Sequence, residues 1–269
     1  MAKIISVCNQ KGGTGKTTTA VNLSASLGKL NKKILAVDVD PQGNLTSGFG
    51  VNKSELKLSI YDILVDNQSV DKVSIINASE NVDILPCNIN LTGAEIELVG
   101  ALSRETRLKK ALDSVKKKYD YIFIDAPPSL GLLTLNALVA SNSILIPIQC
   151  EFYALEGVSQ LLNTINLIRE GLNPQLFVEG VLLTMADFRT KLTSEVIGEI
   201  KKYFKEKVYK SIIPRNIRLS EAPSHGKPIN IYDPQSIGAK KYGELAVELL
   251  QGNNDDITVQ IGQNNQIGQ

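Results

Sequence analysis

The sequence predicts a doubly wound α/β sandwich, a mostly parallel sheet with helices on both faces. Seven short runs rich in β-branched residues are apolar at nearly every position, as strands buried on both faces must be. They alternate with segments of helical spacing, the signature of parallel βαβ units. The first run leads through a glycine-rich stretch directly into a helix, the junction at which such sheets bind ligands.

In chain order, the expected strands are 4–8, 33–38, 82–86, 121–125, 143–148, 177–183 and 208–213. The expected helices are 16–30, 104–118, 155–170, 194–205 and 237–250, where apolar residues recur every three or four positions. No Pro/Gly/Ser-rich linker and no internal repeat interrupts this alternation, so residues 1–250 are expected to form a single domain. Residues 251–269 are rich in Gln and Asn and have no aromatic side chain, a composition expected to leave a disordered polar tail.

Composition narrows the function classes. Among 269 residues, 29 Lys+Arg against 28 Asp+Glu leave a net charge of +1, with 43% apolar and 21% charged residues. These values exclude a disordered chain, a collagen-like repeat and a highly basic nucleic-acid tail. Cys8, Cys87 and Cys150 are an odd number at wide spacing, and Cys8 and Cys150 lie in or beside apolar runs, so they read as small hydrophobes rather than bridge partners. A lone His225 rules out a histidine metal cluster. The N-terminus turns polar too soon for a signal peptide, and no stretch approaches the roughly 18 apolar residues of a membrane span, so a cytoplasmic protein is expected.

The stretch Asn9-Gln10-Lys11-Gly12-Gly13-Thr14-Gly15-Lys16-Thr17-Thr18 is a phosphate-binding loop in its proper strand–loop–helix context. Glycines let backbone N–H groups converge on phosphate oxygens, and the helix N-terminus adds partial positive charge. Lys16 is expected to reach the β- and γ-phosphates and the Thr17 hydroxyl to bind Mg²⁺. The position six before Lys16, ordinarily Gly, is Gln10, and Lys11 is a second lysine inside the loop. Lys16 already covers the phosphates from its own side, so Lys11 reads either as a solvated loop lysine or, if it points away from its own nucleotide, as the partner of a nucleotide on a second subunit.

The segment from Lys11 to Thr18 resembles the deviant Walker A motif of the ParA/MinD ATPase class, and the chain as a whole resembles Soj-type chromosomal ParA proteins from about residue 2 to residue 250. Three further segments carry the likeness: those beginning at Asp40 (Asp-Pro-Gln-Gly-Asn), at Ala126 (Ala-Pro-Pro-Ser-Leu-Gly) and at Pro214 (Pro-Arg-Asn-Ile-Arg-Leu-Ser-Glu-Ala-Pro-Ser-His-Gly). The resemblance implies ATP and Mg²⁺ as cofactors and an ATP-dependent homodimer in which Lys11 crosses to the partner's ATP. It also implies nonspecific binding to double-stranded DNA, a ParB-type centromere-binding partner and a nucleoid-associated location.

Phosphoryl transfer needs acids for metal and water. Asp125 ends an apolar strand at the same sheet edge as the phosphate loop and fits the Walker B role, acting through a metal-bound water. Asp38 and Asp40 taken alone read as a strand end and turn. The resemblance implies that Asp40 orients the attacking water and Asp38 supports the metal's outer shell. Residues 213–226 read by themselves as a surface loop, and the resemblance makes Pro214 and Asn216 contacts to the base, with Thr184 and Met185 nearby. Residues 184–227 hold ten Lys/Arg against five Asp/Glu, which fits either a solvated basic face or a polyanion partner. The resemblance favours the latter, because Arg189 and Arg218 match arginines implicated there in binding duplex DNA. The segment 151–157 reads alone as a helix start, and by resemblance lies near the dimer interface.

Two other readings compete. A MinD-like, membrane-associated division regulator carries a C-terminal amphipathic helix, whereas this chain has no Lys or Arg after Lys241, so no membrane partner is expected. The other is a relative that acts on a second substrate, such as an iron protein or an ATP-dependent amide ligase. The iron protein needs two exposed cysteines to bridge a cluster across a dimer, whereas Cys8 reads as buried in the first strand and neither Cys87 nor Cys150 has a matching local signature.

Overall fold

The computed structural model describes residues 1–151, 154 and 156–252. The Gln/Asn-rich tail beyond residue 252, and Phe152, Tyr153 and Leu155 of the 151–157 segment, lie outside the described residues.

Seven strands form one sheet: β1 (Lys3–Val7), β2 (Ile34–Asp38), β3 (Ile75–Ser79), β4 (Val82–Leu85), β5 (Tyr121–Asp125), β6 (Ser143–Gln149) and β7 (Phe177–Thr184). Their spatial order is β3-β4-β2-β5-β1-β6-β7, and every pairing is parallel except β3 with β4. The chain moves to one side of β1 for β2 and to the other for β6, so a crevice opens beyond the carboxyl ends of the central strands.

Alternation along β1 divides the core. Ile5 and Val7 face the layer formed by helix α1 (Lys16–Lys29) and helix Ile237–Gln251, packing with Leu23, Phe123 and Tyr242. Ala2, Ile4 and Cys8 face the opposite layer, which includes helices Leu132–Ala140 and Glu156–Gly171. Ser6 points the same way without a polar cost, because its hydroxyl bonds to Ala137 O at 3.1 Å and to Ser141 Oγ at 2.7 Å.

The sheet departs from expectation twice. β3 is an edge strand that the sequence pattern conceals: it opens Ile-Ile-Asn, with Ile76 exposed and Asn77 at a φ of 54°, so neither alternation nor a continuous apolar run marks it. Conversely, 208–213 is not a strand. It touches β7 through isolated bridges, Val181 with Val208 and Ala186 with Pro214, and through Tyr209 N–H to Val181 O at 3.0 Å and Ile213 N–H to Leu183 O at 2.9 Å. The intervening Lys210 and Ser211 N–H groups go instead to the Glu248 carboxylate, at 2.6 and 2.9 Å, which diverts the ladder. The expected helix 104–118 is also shorter, a 3₁₀ turn at Arg104–Thr106 followed by helix Arg107–Asp113.

Candidate functional site

The glycine-rich loop is tied down from beneath. Asn9 is buried; its amide donates to Pro147 O in β6 at 2.7 Å, and its carbonyl oxygen accepts the Lys11 N–H at 3.0 Å. From the far side, the Thr184 hydroxyl at the end of β7 donates to Thr14 O at 2.8 Å. Gly13 and Gly15 lie at φ of 74° and 88°, the left-handed region that glycine enters without strain. Gly15 immediately precedes α1, so the N–H groups of Lys16, Thr17 and Thr18 open towards the crevice. Lys16 is buried and donates to Lys11 O at 3.3 Å, as does the Thr14 hydroxyl at 3.4 Å. Burial pulls the Lys16 ammonium below the usual lysine range, and Asp125 opposes that pull most strongly. The Lys11 ammonium has no acidic partner among the described residues.

The carboxylates converge from adjacent strand ends. In register, Val7 and Asp38 both pair with Asp125, so β1, β5 and β2 finish side by side. Asp38 and Asp125 are fully buried and Asp40 nearly so. Asp38 is spoken for within the protein: its Oδ2 accepts the Thr46 N–H at 2.8 Å and hydroxyl at 2.7 Å, and its Oδ1 accepts the Asp40 N–H at 3.3 Å. Burial nevertheless raises Asp38 to about 6, against the hydrogen bonds from Thr46. Asp125 differs. The Thr17 hydroxyl favours its charged form, yet neither carboxylate oxygen has a partner at hydrogen-bonding geometry. Burial, and secondarily the charge of Asp38, push it well above the usual carboxylate range. Asp40 sits in a tight turn, where its Oδ1 accepts the Gln42 N–H at 3.0 Å and its O accepts the Gly43 N–H at 2.8 Å.

This arrangement fits a divalent cation shared with phosphate. Asp125 is a buried acid whose oxygens meet no donor at hydrogen-bonding geometry among the described residues, with the Thr17 hydroxyl nearby and the charges of Asp38 and Asp40 acting on it. Among the described residues no group of three His, Cys, Asp or Glu forms a protein-only cage. Magnesium is ordinarily held by one or two carboxylates plus phosphate oxygens and water. Thr17 can supply the protein's direct share, Asp125 a share through a bound water, and Asp38, its oxygens already engaged, the supporting share.

Thr46 escaped the sequence reading. It stands on helix α2 (Asn44–Gly48), and its hydroxyl also accepts the Cys87 N–H at 2.8 Å, joining the β2 end to the chain leaving β4. Eight residues separate it from Asp38, and no local pattern marks such a contact. Also missed was the strap over α1: Ala222, Pro223, Ser224 and Lys227 join Thr17, Thr18, Asn44 and Ser47 around a cavity of about 420 Å³.

Pro214 and Asn216 follow a segment bonded to the end of β7. Ala186 N–H reaches Ile213 O at 3.1 Å, and Arg215 N–H reaches Ala186 O at 3.0 Å. The turn uses Met185 at a φ of 52°. Asn216 caps helix Ile217–Glu221 by accepting the Arg218 N–H at 2.8 Å. Thr184 therefore links this segment to the phosphate loop.

Arg189 and Arg218 stand outside the crevice, their side chains 86% and 56% exposed. Neither is free: Arg189 pairs with Asp187, and Arg218 with Glu221 and, at 3.5 Å, Asp233. Cys8, Cys87 and Cys150 are buried free thiols, with burial raising Cys8 to about 12 and Cys150 to about 11, so none of them presents an exposed sulfur to bridge a cluster across a dimer. No helix among the described residues is long and apolar enough to cross a membrane.

A parallel sheet whose first strand delivers a two-lysine phosphate loop, with acids on the adjacent strand ends, defines a P-loop nucleoside triphosphatase of the ParA/MinD kind. A sequence profile described as an AAA domain matches residues 2–178. Over 251 residues the chain is 61% identical to the sporulation initiation inhibitor protein Soj of Bacillus subtilis, covering 93% of this chain and 98% of that protein. It is 50% identical to the chromosome partitioning protein ParA of Myxococcus xanthus, covering 93% and 89%. Among solved structures, cobyrinic acid a,c-diamide synthase of Mycobacterium smegmatis, bound to an ATP analogue and magnesium, superposes with a TM-score of 0.83 at 35% identity, covering 94% and 96%. The chain belongs to the Soj/ParA family of chromosome-partitioning ATPases.

Proposed function

We propose that this chain is an ATP-driven dimerising switch for chromosome or plasmid segregation, with residues 1–250 acting as one ATPase domain on the nucleoid in the cytoplasm. Two copies carrying ATP and Mg²⁺ associate through Lys11, and the dimer binds duplex DNA nonspecifically through Arg189 and Arg218. Hydrolysis, stimulated by a ParB-type partner, releases it. The observation that carries the reading is the buried Asp125 carboxylate, without a hydrogen-bonding donor, at the mouth of a loop bearing two lysines.

In this reading the N–H groups from Gly12, Gly13, Thr14 and Gly15 through Thr18, together with Lys16, cradle the phosphates, while Pro214 and Asn216 border the base. Thr17 and Asp125 hold the cation, and Asp38 steadies its outer shell. Magnesium, when bound, neutralises charge on the phosphate oxygens and helps keep them in line. Asp40 orients the attacking water. Lys16 already covers its own nucleotide, so Lys11, which has no acidic partner among the described residues, stabilises charge on the nucleotide of the second subunit. Nucleotide controls DNA binding only as far as ATP favours the dimer over separated subunits, because a ligand shifts a population by its differential affinity alone.

The test is binding to duplex DNA with ADP, with ATP, and with ATP after Asp40→Ala, across a salt series. Binding that requires ATP, strengthens in Asp40→Ala and falls steeply with salt supports the switch. Lys11→Ala that dimerises and binds DNA as wild type does would overturn the assigned route of dimerisation. Absence of DNA binding in every state, with ATP hydrolysis intact, would leave the arginine face a solvated surface.

A further inference from the structure

We infer that Asp187 and Glu221 are built-in competitors for DNA phosphate, so that Arg189 and Arg218 engage DNA by exchanging a carboxylate of their own chain for a phosphate. The inference rests on the reading of these arginines as DNA contacts and adds the element that regulates them. Arg189 meets Asp187 through two parallel bonds, Nε to Oδ1 at 2.8 Å and Nη2 to Oδ2 at 2.6 Å. This fork-on-fork geometry is the one a phosphate would use. Hydrogen bonding from Arg189 holds the Asp187 carboxyl down at about 2, so both groups stay charged at neutral pH. Arg218 donates to Glu221 Oε2 at 2.9 Å, an oxygen that also accepts the Tyr232 hydroxyl at 3.2 Å, and lies 3.5 Å from Asp233. Both arginines are therefore oriented and neutralised before any ligand arrives.

The consequence is specific to salt dependence. An arginine that neutralises a phosphate releases counterions, adding about 0.9 to the slope of log K against log salt. An arginine that must first abandon a carboxylate leaves an anion behind at the DNA surface, so its net contribution to the slope is close to zero. In wild type, then, Arg189 positions the DNA backbone while adding little salt sensitivity. The slope comes mainly from lysines that have no ion pair among the described residues, such as Lys201, Lys202 and Lys205.

Asp187→Asn tests this cleanly, because asparagine keeps the oxygen that accepts the Arg189 N–H at 3.1 Å and so preserves the turn. The comparator is Glu195→Gln, which removes an equal charge from the exposed face of helix Lys191–Phe204, where no arginine is paired with it. Affinity for a labelled random-sequence duplex is measured with ATP over a range of salt for the wild type and each variant. The expected result is a slope steeper by about 0.9 per subunit in Asp187→Asn, hence about 1.8 for the dimer, with the dimer's affinity up about sixtyfold near 0.1 M monovalent salt and converging on wild type towards 1 M. Glu221→Gln should move the slope less, because Asp233 still holds Arg218. An unchanged slope in Asp187→Asn, or an equal change in Glu195→Gln, overturns the exchange while leaving DNA binding intact. Failure of the wild type to bind the duplex overturns the DNA reading, and the exchange with it.

Discussion

The crevice at the carboxyl ends of β1, β5 and β2 and the exposed face bearing Arg189 and Arg218 handle charge in opposite ways. In the crevice, Asp38, Asp125 and Lys16 are buried, and their ionisation is governed first by lost hydration. Each electrostatic contact there is strong because little water screens it. On the arginine face the ion pairs are close but exposed, so solvent and salt discount them. A site that must stabilise charge on one ligand atom is built into the core. The proposed polyanion surface, by contrast, lies in water and carries its own counter-charges.

The largest effect expected from breaking this contrast is at Lys16. Replacing it with Ala removes a buried cation from the phosphates and should lower ATP hydrolysis about 10²- to 10³-fold by phosphate release. Arg189→Ala should leave basal hydrolysis unchanged in the same assay. A loss below about tenfold at Lys16 would mean that the crevice charge is not the working one.

Asp38 provides a stability readout that the arginine face cannot. Its folded-state pKa, near 6, lies above the ordinary carboxylate value. The stability it contributes is therefore fully present at acid pH below about 4 and is lost as pH rises through about 6, a difference on the order of 3 kcal/mol. Denaturant unfolding of the nucleotide-free protein at pH 4, 5, 6 and 7 should show this decline relative to Asp38→Asn, whose curve lacks it. Parallel pH curves for the two proteins would contradict the buried-charge account.

A smaller effect sharpens the boundary between the regions. Gly50 and Gly226, at φ of 80° and 61°, bring α2 and the strap into backbone contact, and a Cβ on Gly226 would come within 2.5 Å of Gly50 Cα. Gly226→Ala must shift main chain and should cost about 1–3 kcal/mol in chemical denaturation. Gly243→Ala, where nothing stands within 4 Å of the added Cβ and the backbone is helical, should be neutral or slightly stabilising. The smallest effect is expected at Asp187→Asn, whose melting temperature should match that of wild type, because an exposed pair contributes little to folding.

Much of the crevice is legible along the chain. A phosphate loop is a contiguous motif whose glycines, lysines and hydroxyls act through the backbone that carries them. Asp125 and Asp38 close apolar strands, and parallel pairing sends both to the same edge. Sequence also marked β1, β2 and β5 because strands buried on both faces have no polar alternative. It could not mark β3, an edge strand exposed on one side, nor foresee that Glu248 would capture the N–H groups of Lys210 and Ser211 and leave 208–213 joined to β7 only by isolated bonds.

Sequence alone determined the chemistry on offer: an α/β sheet, a two-lysine phosphate loop, and acids at strand ends, all properties of short runs of neighbouring residues. Tertiary structure decided how those groups are held. Thr46 engages Asp38 and leaves Asp125 as the acid without a donor. The strap from Ala222 to Lys227 closes over α1, and both candidate DNA arginines begin their work already paired. The physical reason is that burial and hydrogen-bond satisfaction depend on which distant segments share a small volume, and composition and spacing carry no record of that.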